Sequence, residues 1–309
     1  MGRKKQTKKK KSILPFLAVV LLVVIGIFAL SGHETGIKAI DESGFYIYIC
    51  NLKQDIIETV REIKESLLNI STADVIRENL ELPASIPGHQ IVRHTGYTLS
   101  YNEQYEQADW VAYELTSEKL NATVSRKDNF REDPSILTGS AHLQDYRGSG
   151  YDRGHLANSQ DFCWSEQAND DTFFMSNMTP QIHGFNAGLW LNCEKAVREA
   201  AKEFGSVYVA TGPVFSKEMK TIGSCCSVAV PESFYKVLLA FDQNNNVFAI
   251  GMICPQSYED SRVHSYLCSV NDVEDVTGLD FFPNLDDSIE ESVESTFNPY
   301  AWPGSFQNR

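Results

Sequence analysis

The sequence lacks the signatures of several common metal and redox sites. It contains no C-x-x-C pair and no H-E-x-x-H, which argues against a zinc ribbon, a thioredoxin-type site and a zincin-type protease. His142, His155 and His183 are not at close ligand spacing, which also disfavours a histidine-based zinc site. No internal repeat is visible. The 309 residues suffice for one large domain or two small ones with a substantial core.

Basic residues are scarce after the first twelve positions. MGRKKQTKKKKS carries seven of the 27 Lys and Arg, so 20 basic residues face 41 acidic ones in the remainder, a net charge of −21. Proteins that hold polyanions by bulk electrostatics carry the opposite sign. Any polyanionic ligand must therefore be held by a local cluster or a metal ion.

A single long apolar run follows the basic segment. Residues 13–30 contain no charge, and as a helix they would span roughly 27 Å, close to the roughly 30 Å of a bilayer core. The basic flank predicts a cytoplasmic tail at 1–12 and the rest of the chain outside the cytoplasm, in a periplasm or the exterior. The run is longer than the usual signal-peptide core of about 7–15 residues, which favours an uncleaved transmembrane anchor. Cleavage near Ser31, and hence secretion, is the alternative.

Residues 31–85 are interpreted as a linker that includes an amphipathic helix. Apolar residues recur at three- and four-residue steps between Asp55 and Glu81. Pro83 and Pro87 then break the pattern. A domain boundary is therefore predicted near residue 85.

The residues after this boundary predict one folded domain at 86–290 and a C-terminal tail at 291–309. The acidic stretch Asp286 to Glu294 is predicted to be solvated. A helix is expected from Ala187 to Phe204, and short β-like runs surround it. These runs lie at residues 97–101, 110–115, 207–210, 227–230, 235–239 and 247–250. The predicted fold is α+β, with a mixed or antiparallel sheet at its centre.

Seven cysteines lie after the predicted anchor. In an oxidising compartment up to three disulfides are compatible with this number. The alternative is that most are buried as small hydrophobic residues. Cys225 and Cys226 are adjacent and therefore hard to bridge to each other.

The densest cluster of chemically active side chains lies at residues 145–157, D-Y-R-G-S-G-Y-D-R-G-H-L-A. Its three glycines permit tight turns and close backbone approach. Arg147 and Arg153 supply forked positive charges that match a phosphate, and His155 can accept a proton from water near neutral pH. A lone histidine is more often structural, but this cluster favours a ligand site.

A second set of residues follows at Asn186, Trp190 and Glu194. If a helix begins near Asn186, these residues lie along one stripe at four-residue steps. The simpler interpretation makes Asn186 a helix N-cap and Glu194 a solvated surface acid. Both interpretations stay open at the level of these residues alone.

Together these segments resemble the DNA/RNA non-specific endonuclease family of the ββα-metal type. The resemblance covers roughly residues 90–285. Its motifs are D-Y-R-G-S-G-Y-D-R-G-H-L-A (145–157), D-D-T-F-F-M-S-N-M-T-P-Q (170–181), N-x-x-x-W-x-x-x-E (186–194), V-Y-V-A-T-G-P (207–213), V-A-V-P-x-x-F-Y-K-V (228–237) and V-E-D-V-T-G-L-D-F-F (273–282).

The resemblance implies a ββα-metal catalytic motif and hydrolysis of phosphodiester bonds without sequence specificity. His155 takes the place of the family's general base, and Arg153 that of the arginine that stabilises transition-state charge. Asn186 matches the metal ligand, and Glu194 the acid that holds the metal through water. Asn177 matches a further active-site asparagine.

The resemblance also implies partners and a cofactor. DNA and RNA are the expected substrates, with Arg126, Arg147 and Arg153 binding them. Mg²⁺ is the expected cofactor, with Mn²⁺ or another divalent cation as the alternative, and no organic cofactor is expected. One asparagine oxygen suits Mg²⁺, which retains several waters. A homodimer is left open.

Two features bear on the expected mechanism. Because a general base must be neutral, the rate should fall below the ordinary histidine pKa of about 6.5 unless neighbours shift it. Some family members place a second catalytic arginine where this chain has Asp128. Arg126 and Arg131 lie on either side, and which one substitutes is left open.

Two other classes of function compete with an enzyme. One is a catalytically silent nucleic-acid-binding protein on the same fold, and the other is a membrane-anchored envelope interaction protein. A silent descendant should have lost one of His155, Asn186 and Glu194, whereas all three are present. An envelope protein leaves both motif clusters unexplained, so the enzyme is favoured.

Overall fold

The computed structural model describes residues 78–307. Its strands are β1 (Gln90–Arg93), β2 (Thr98–Asn102), β3 (Gln107–Thr116), β4 (Asp152–His155), β5 (Met178–Gln181), β6 (Ser206–Val214), β7 (Lys220–Ile222), β8 (Val228–Val230), β9 (Ser233–Phe241), β10 (Val247–Pro255) and β11 (Leu267–Cys268). Its helices are α1 (Leu143–Tyr146), α2 (Glu166–Asp171), α3 (His183–Phe185), α4 (Leu191–Phe204), α5 (Val270–Thr277) and α6 (Asp287–Glu294).

A seven-stranded antiparallel sheet lies at the centre, in the order β1-β2-β3-β6-β9-β10-β11. Both faces of the sheet are covered. On β9, Phe234 and Leu238 enter one hydrophobic core, while Tyr235, Val237 and Leu239 enter the other. Because alternate residues of a strand point to opposite faces, burial on both sides explains why β9 is apolar along nearly its whole length. The predicted α+β class with an antiparallel sheet is confirmed.

A ββα unit packs on the first of these faces. Strands β4 and β5 form a two-stranded antiparallel hairpin, and α3 follows it directly. Between α3 and α4 the chain forms a π-helical turn over Asn186–Trp190. The helical run ends at Gly205, whose φ of 83° favours glycine. Helix α4 therefore ends where the sequence predicts, but the helical run starts earlier, at His183.

Two predicted boundaries are corrected by packing. Leu80 is fully buried in the second core, so the segment just before residue 85 belongs to the folded domain and not to a linker. At the other end, Trp302 and Phe306 are buried in the first core. The described part of the predicted C-terminal tail thus packs against the domain, because these two aromatic side chains have apolar surface to bury.

The acidic stretch after Leu285 is also not a solvated tail. It forms helix α6, capped by the side chain of Asp286, which accepts from the backbone N–H of Ser288. Its Val293 is buried in the second core, and Ile289 packs against that core. The apolar residues at four-residue spacing give the helix an inward face despite its charge.

The cysteines in the described range, at positions 163, 193, 225, 226, 254 and 268, carry free thiols. Cys163, Cys193 and Cys254 are buried, as expected from the alternative that treats cysteine as a small hydrophobic residue. The predicted anchor at 13–30 and most of the predicted linker lie outside the described residues. Within residues 78–307 no helix has the length and apolar character to cross a membrane.

Candidate active site

The β4–β5 hairpin holds the D-R-G-H segment in an extended conformation. Gly154 pairs with Thr179 and His155 with Met178. A Cβ atom at Gly154 would lie 2.2 Å from side-chain atoms of Gln181, far inside van der Waals contact. Only glycine therefore fits beside His155 without displacing the buried side chain of Gln181.

Asn177 fixes the chain just beyond His155. Its Oδ1 accepts from the Ala157 N–H at 2.9 Å. Its Nδ2 donates to the carbonyls of Ala157 at 3.0 Å and Thr172 at 2.8 Å. The side chain is fully buried, and these bonds are to the backbone. The structure thus places Asn177 as a brace for the segment that carries the histidine.

His155 lies in an aromatic pocket at the end of β4. Its ring meets Phe130 and Phe173 edge to face, at centroid distances of 5.7 and 5.1 Å. Burial lowers the pKa of His155 to about 3, with further contributions from the positive charges of Arg126 and Arg153. Among the described residues no group forms a hydrogen bond with its Nε2. The imidazole is therefore neutral at physiological pH, and its Nε2 is buried without a hydrogen-bond partner among the described residues.

A cavity of about 530 Å³ opens beside this hairpin. Arg126, Arg147 and Arg153 all line it, together with Asp152 and Asn186. The structure thus brings together the three predicted substrate-binding arginines and the predicted metal ligand. It places His155, Asn177 and Glu194 outside the cavity lining itself.

Asn186 reaches the cavity from the π-helical turn. Its Nδ2 donates to Oδ2 of Asp152 at 2.9 Å, and Nδ1 of His183 lies 2.8 Å from the same oxygen. With the amide nitrogen committed to Asp152, Oδ1 is the atom of the amide that can bind a cation. A hard oxygen donor beside a carboxylate fits Mg²⁺. Asn186 lies inside a helical run and is not an N-cap, so that alternative is wrong.

Glu194 lies behind the cavity. It is only 4% exposed, so the alternative of a solvated surface acid is wrong. Burial raises its pKa to about 7, against the lowering effects of Lys236 and a side-chain hydrogen bond with Asn158. Asn186 lines the cavity, whereas Trp190 and Glu194 are buried.

The two arginines beside Asp128 have different partners. Arg131 donates to the carboxylate of Asp170 at 2.6 Å and lies over the ring of Phe174. Arg126 lines the cavity, and its guanidinium lies 5.1 Å from the Phe173 ring centroid. Asp128 itself binds Arg126 at 2.6 Å. Of the two candidates, Arg126 is the one at the site.

Sequence reasoning did not assign roles to several residues that complete the site. The guanidinium carbon of Arg153 lies 4.1 Å from the centroid of the Phe130 ring, and the same ring contacts His155. Asp152 is visible in the motif, but its bond to Asn186 depends on the fold. Lys236 is buried behind the helix, and its only signal is a charge inside an apolar strand.

A neutral histidine beside an arginine-lined cavity, with an asparagine oxygen available for a cation, is an arrangement suited to phosphodiester hydrolysis. The fold and the site thus define a nuclease of the ββα type. The comparisons with known proteins agree. Residues 77–288 match the family model described as DNA/RNA non-specific endonuclease. The chain belongs to this family and is a DNA/RNA non-specific endonuclease.

Individual relatives cover most of the described domain. The mitochondrial endonuclease G of Homo sapiens is 34% identical over 214 residues, which is 65% of this chain and 72% of the relative. Nuclease C1 of Cunninghamella echinulata var. echinulata is 38% identical over 206 residues, covering 62% and 81%. A crystal structure of an EndoG/EndoGI complex matches with a TM-score of 0.62 and 29% identity, covering 70% of this chain and 94% of that one.

Proposed function

We propose that the nuclease uses a divalent cation, with Mg²⁺ as the best fit, and that His155 is the general base. The observation that carries this proposal is the state of His155. Its imidazole is neutral and its Nε2 has no hydrogen-bond partner in the described part of the chain. That nitrogen has no partner to lose, but it is buried, so the attacking water must first enter beside it before it can accept the proton.

The arginines act on the phosphate. Arg153 is held against Phe130, so its guanidinium is fixed before substrate arrives and can stabilise the negative charge that develops on the phosphoryl oxygens. Arg126, positioned over Phe173, supplies the second positive charge in place of an arginine at Asp128. Arg147 contributes to binding of the flanking phosphates from the cavity wall.

Asn186 would hold the cation through Oδ1, and Asp152 keeps the amide in that orientation. When bound, the cation polarises the phosphoryl oxygen and stabilises the leaving alkoxide. The role of Glu194 on the hydrated cation stays a prediction from the resemblance, because its buried side chain does not line the cavity. Asn177 positions His155 indirectly, by joining the backbone of Ala157 to the carbonyl of Thr172.

Substrate capture is local. The chain after residue 11 carries a net charge of −21, yet three arginines and two aspartates line the cavity. The basic cavity attracts phosphate while the acidic remainder repels it. Because salt screens both effects and only three arginines contact phosphate, binding should weaken only modestly with salt. No base-reading surface is required, which accords with cleavage of both DNA and RNA.

We also propose that residues 13–30 anchor the enzyme in a membrane, with the catalytic domain outside the cytoplasm. The support is the uncharged run and its basic flank. Secretion after cleavage near Ser31 is the competing outcome. Protease protection of intact cells, with an antibody against the catalytic domain, separates exposed from cytoplasmic protein.

The test of the proposed function uses the full-length protein in detergent. Supercoiled plasmid, single-stranded DNA and RNA are incubated with Mg²⁺, then with excess chelator. Cleavage of all three with Mg²⁺ and none with chelator is the expected result. Cleavage that continues in chelator would overturn the metal mechanism, and no cleavage with any divalent cation would favour the silent nucleic-acid-binding alternative.

A further inference from the structure

A lysine is sealed in the core directly behind the active site. Lys236 lies on β9, in register between Thr211 of β6 and Met252 of β10. It is only 1% exposed. An ammonium ion taken out of water destabilises the fold unless nearby groups compensate for its lost hydration. The neighbours of Lys236 therefore show what retains it there.

Three groups compensate the charge. The ammonium donates to Oγ1 of Thr211 at 3.2 Å. It lies 4.0 Å from the centroid of the Trp190 ring, a close cation–π contact. Burial lowers the pKa of Lys236, and Glu194 is the largest of the charges that oppose this effect. Two of the three groups belong to the helical run that carries the active site.

Trp190 connects this lysine to the histidine strand. One face of its ring meets Lys236, and its Nε1 donates to the backbone carbonyl of His155 at 3.0 Å. Trp190 is also the last residue of the π-helical turn that begins with Asn186. A single indole ring thus joins the ammonium to both the strand of the base and the turn of the metal ligand.

We propose that Lys236 is a positioning residue for the nuclease reaction. Its ammonium holds Trp190 and Glu194 against the sheet and thereby sets the geometry of Asn186 and His155. Lys236 cannot touch substrate, because it is sealed from the cavity. The proposal rests on the proposed metal and base roles of Asn186 and His155.

The alternative is that Lys236 only stabilises the core. The two cases differ in what a neutral replacement changes. Lys236→Met retains most of the side-chain length and removes the charge. A purely structural lysine would alter the melting temperature alone, whereas a positioning lysine would alter cation binding and turnover in protein that remains folded.

The chain offers a matched control in Lys119. Its ammonium also lies over a tryptophan ring, 5.6 Å from the Trp164 centroid, and donates to the Glu114 carbonyl at 2.7 Å. Residues of the cavity are not among these partners. Lys119→Met therefore removes a cation–π lysine without disturbing the layer behind the active site.

The experiment measures Mn²⁺ affinity by electron paramagnetic resonance on full-length protein, together with kcat and KM for plasmid cleavage and the melting temperature. Lys236→Met is expected to weaken Mn²⁺ binding and lower kcat, each by about 10- to 100-fold, the usual effect of losing a partner behind a metal ligand. KM for DNA should change less than about two-fold, since Lys236 does not face the substrate. Lys119→Met should match the wild type.

Wild-type Mn²⁺ affinity and kcat in folded Lys236→Met would overturn the proposal. If that variant does not fold, Thr211→Val decides. It removes the hydroxyl that accepts from Lys236, together with its bond to the Tyr235 carbonyl, and should shift both values in the same direction by about 2- to 5-fold. No shift there would equally overturn it. Wild-type protein that neither binds Mn²⁺ nor needs a cation for cleavage would instead refute the proposed function.

Discussion

Charged side chains have opposite environments in the active-site cavity and in the buried layer behind it, which contains Lys236 and Glu194. In the cavity, Arg126 and Arg153 lie over aromatic rings at an open wall and keep their charge available to a ligand. In the layer behind, Lys236 and Glu194 are buried and compensate each other. The comparison teaches that the same residue types serve recognition where water reaches them and positioning where it does not.

His155 lies at the border of these two regions, and its loss should have the largest effect. His155→Ala should lower kcat/KM by about 10²- to 10⁴-fold, the typical contribution of a general base. The melting temperature should remain close to that of the wild type. Single-turnover cleavage of plasmid with Mg²⁺ measures the rate.

The control for this variant is His264→Ala, which removes a histidine of the turn before β11. It should retain wild-type cleavage. A His155→Ala enzyme that is folded and cleaves at the wild-type rate would remove the histidine from the mechanism.

The two arginines beside Asp128 test the cavity side of the comparison. Arg126→Ala should lower kcat by about 10²-fold, because a charge aimed at the phosphate is lost. Arg131→Ala should lower kcat little and instead reduce thermal stability, since Arg131 pairs with Asp170 away from the cavity. The reverse pattern would show that Arg131 supplies the second charge.

A substitution at Gly154 tests the packing of the buried hairpin behind the cavity. The side chain of Gln181 leaves no room for a Cβ atom there. Gly154→Ala should destabilise the protein by about 1–3 kcal/mol through overpacking against Gln181. Gly184→Ala is the matched control, since no atom lies within 4 Å of its built Cβ. Urea unfolding of both variants gives their free energies of unfolding. Equal values would show that the Gln181 side chain moves aside at little cost.

The smallest expected effect concerns pH. Burial and the two arginines lower the pKa of His155 to about 3, so the base is neutral throughout the range from pH 5 to 8. The rate fall expected from an unperturbed histidine near pH 6.5 should therefore be absent. A kcat/KM profile with half-maximal activity near 6.5 would mean that the histidine is solvated in the working enzyme.

The residues of the active-site cavity could be predicted from the sequence more readily than those of the layer behind it. Glycines, arginines and a histidine in one segment are unusual without apolar periodicity, which made Arg153 and His155 visible. The π-helical turn at Asn186 and the burial of Glu194 were not predicted, because neither has a signature in residue spacing. Lys236 was not recognised, because its role depends on Trp190, which is distant in sequence.

The same reasoning explains the fold. Strands that are buried on both faces have largely apolar sequences, so the sheet could be predicted. The ends of the domain were not, since Leu80 and Trp302 lie in short segments outside the strands and the longer helices. Their burial depends on long-range packing against opposite faces of the sheet.

The most direct measurement of the central claim is plasmid cleavage as a function of Mg²⁺ concentration for the wild type and Asn186→Ala side by side. The account predicts that wild-type cleavage is absent in chelator and saturates with Mg²⁺, whereas the variant requires at least about ten-fold more Mg²⁺ or does not recover. Identical Mg²⁺ dependence of the two folded proteins would contradict it.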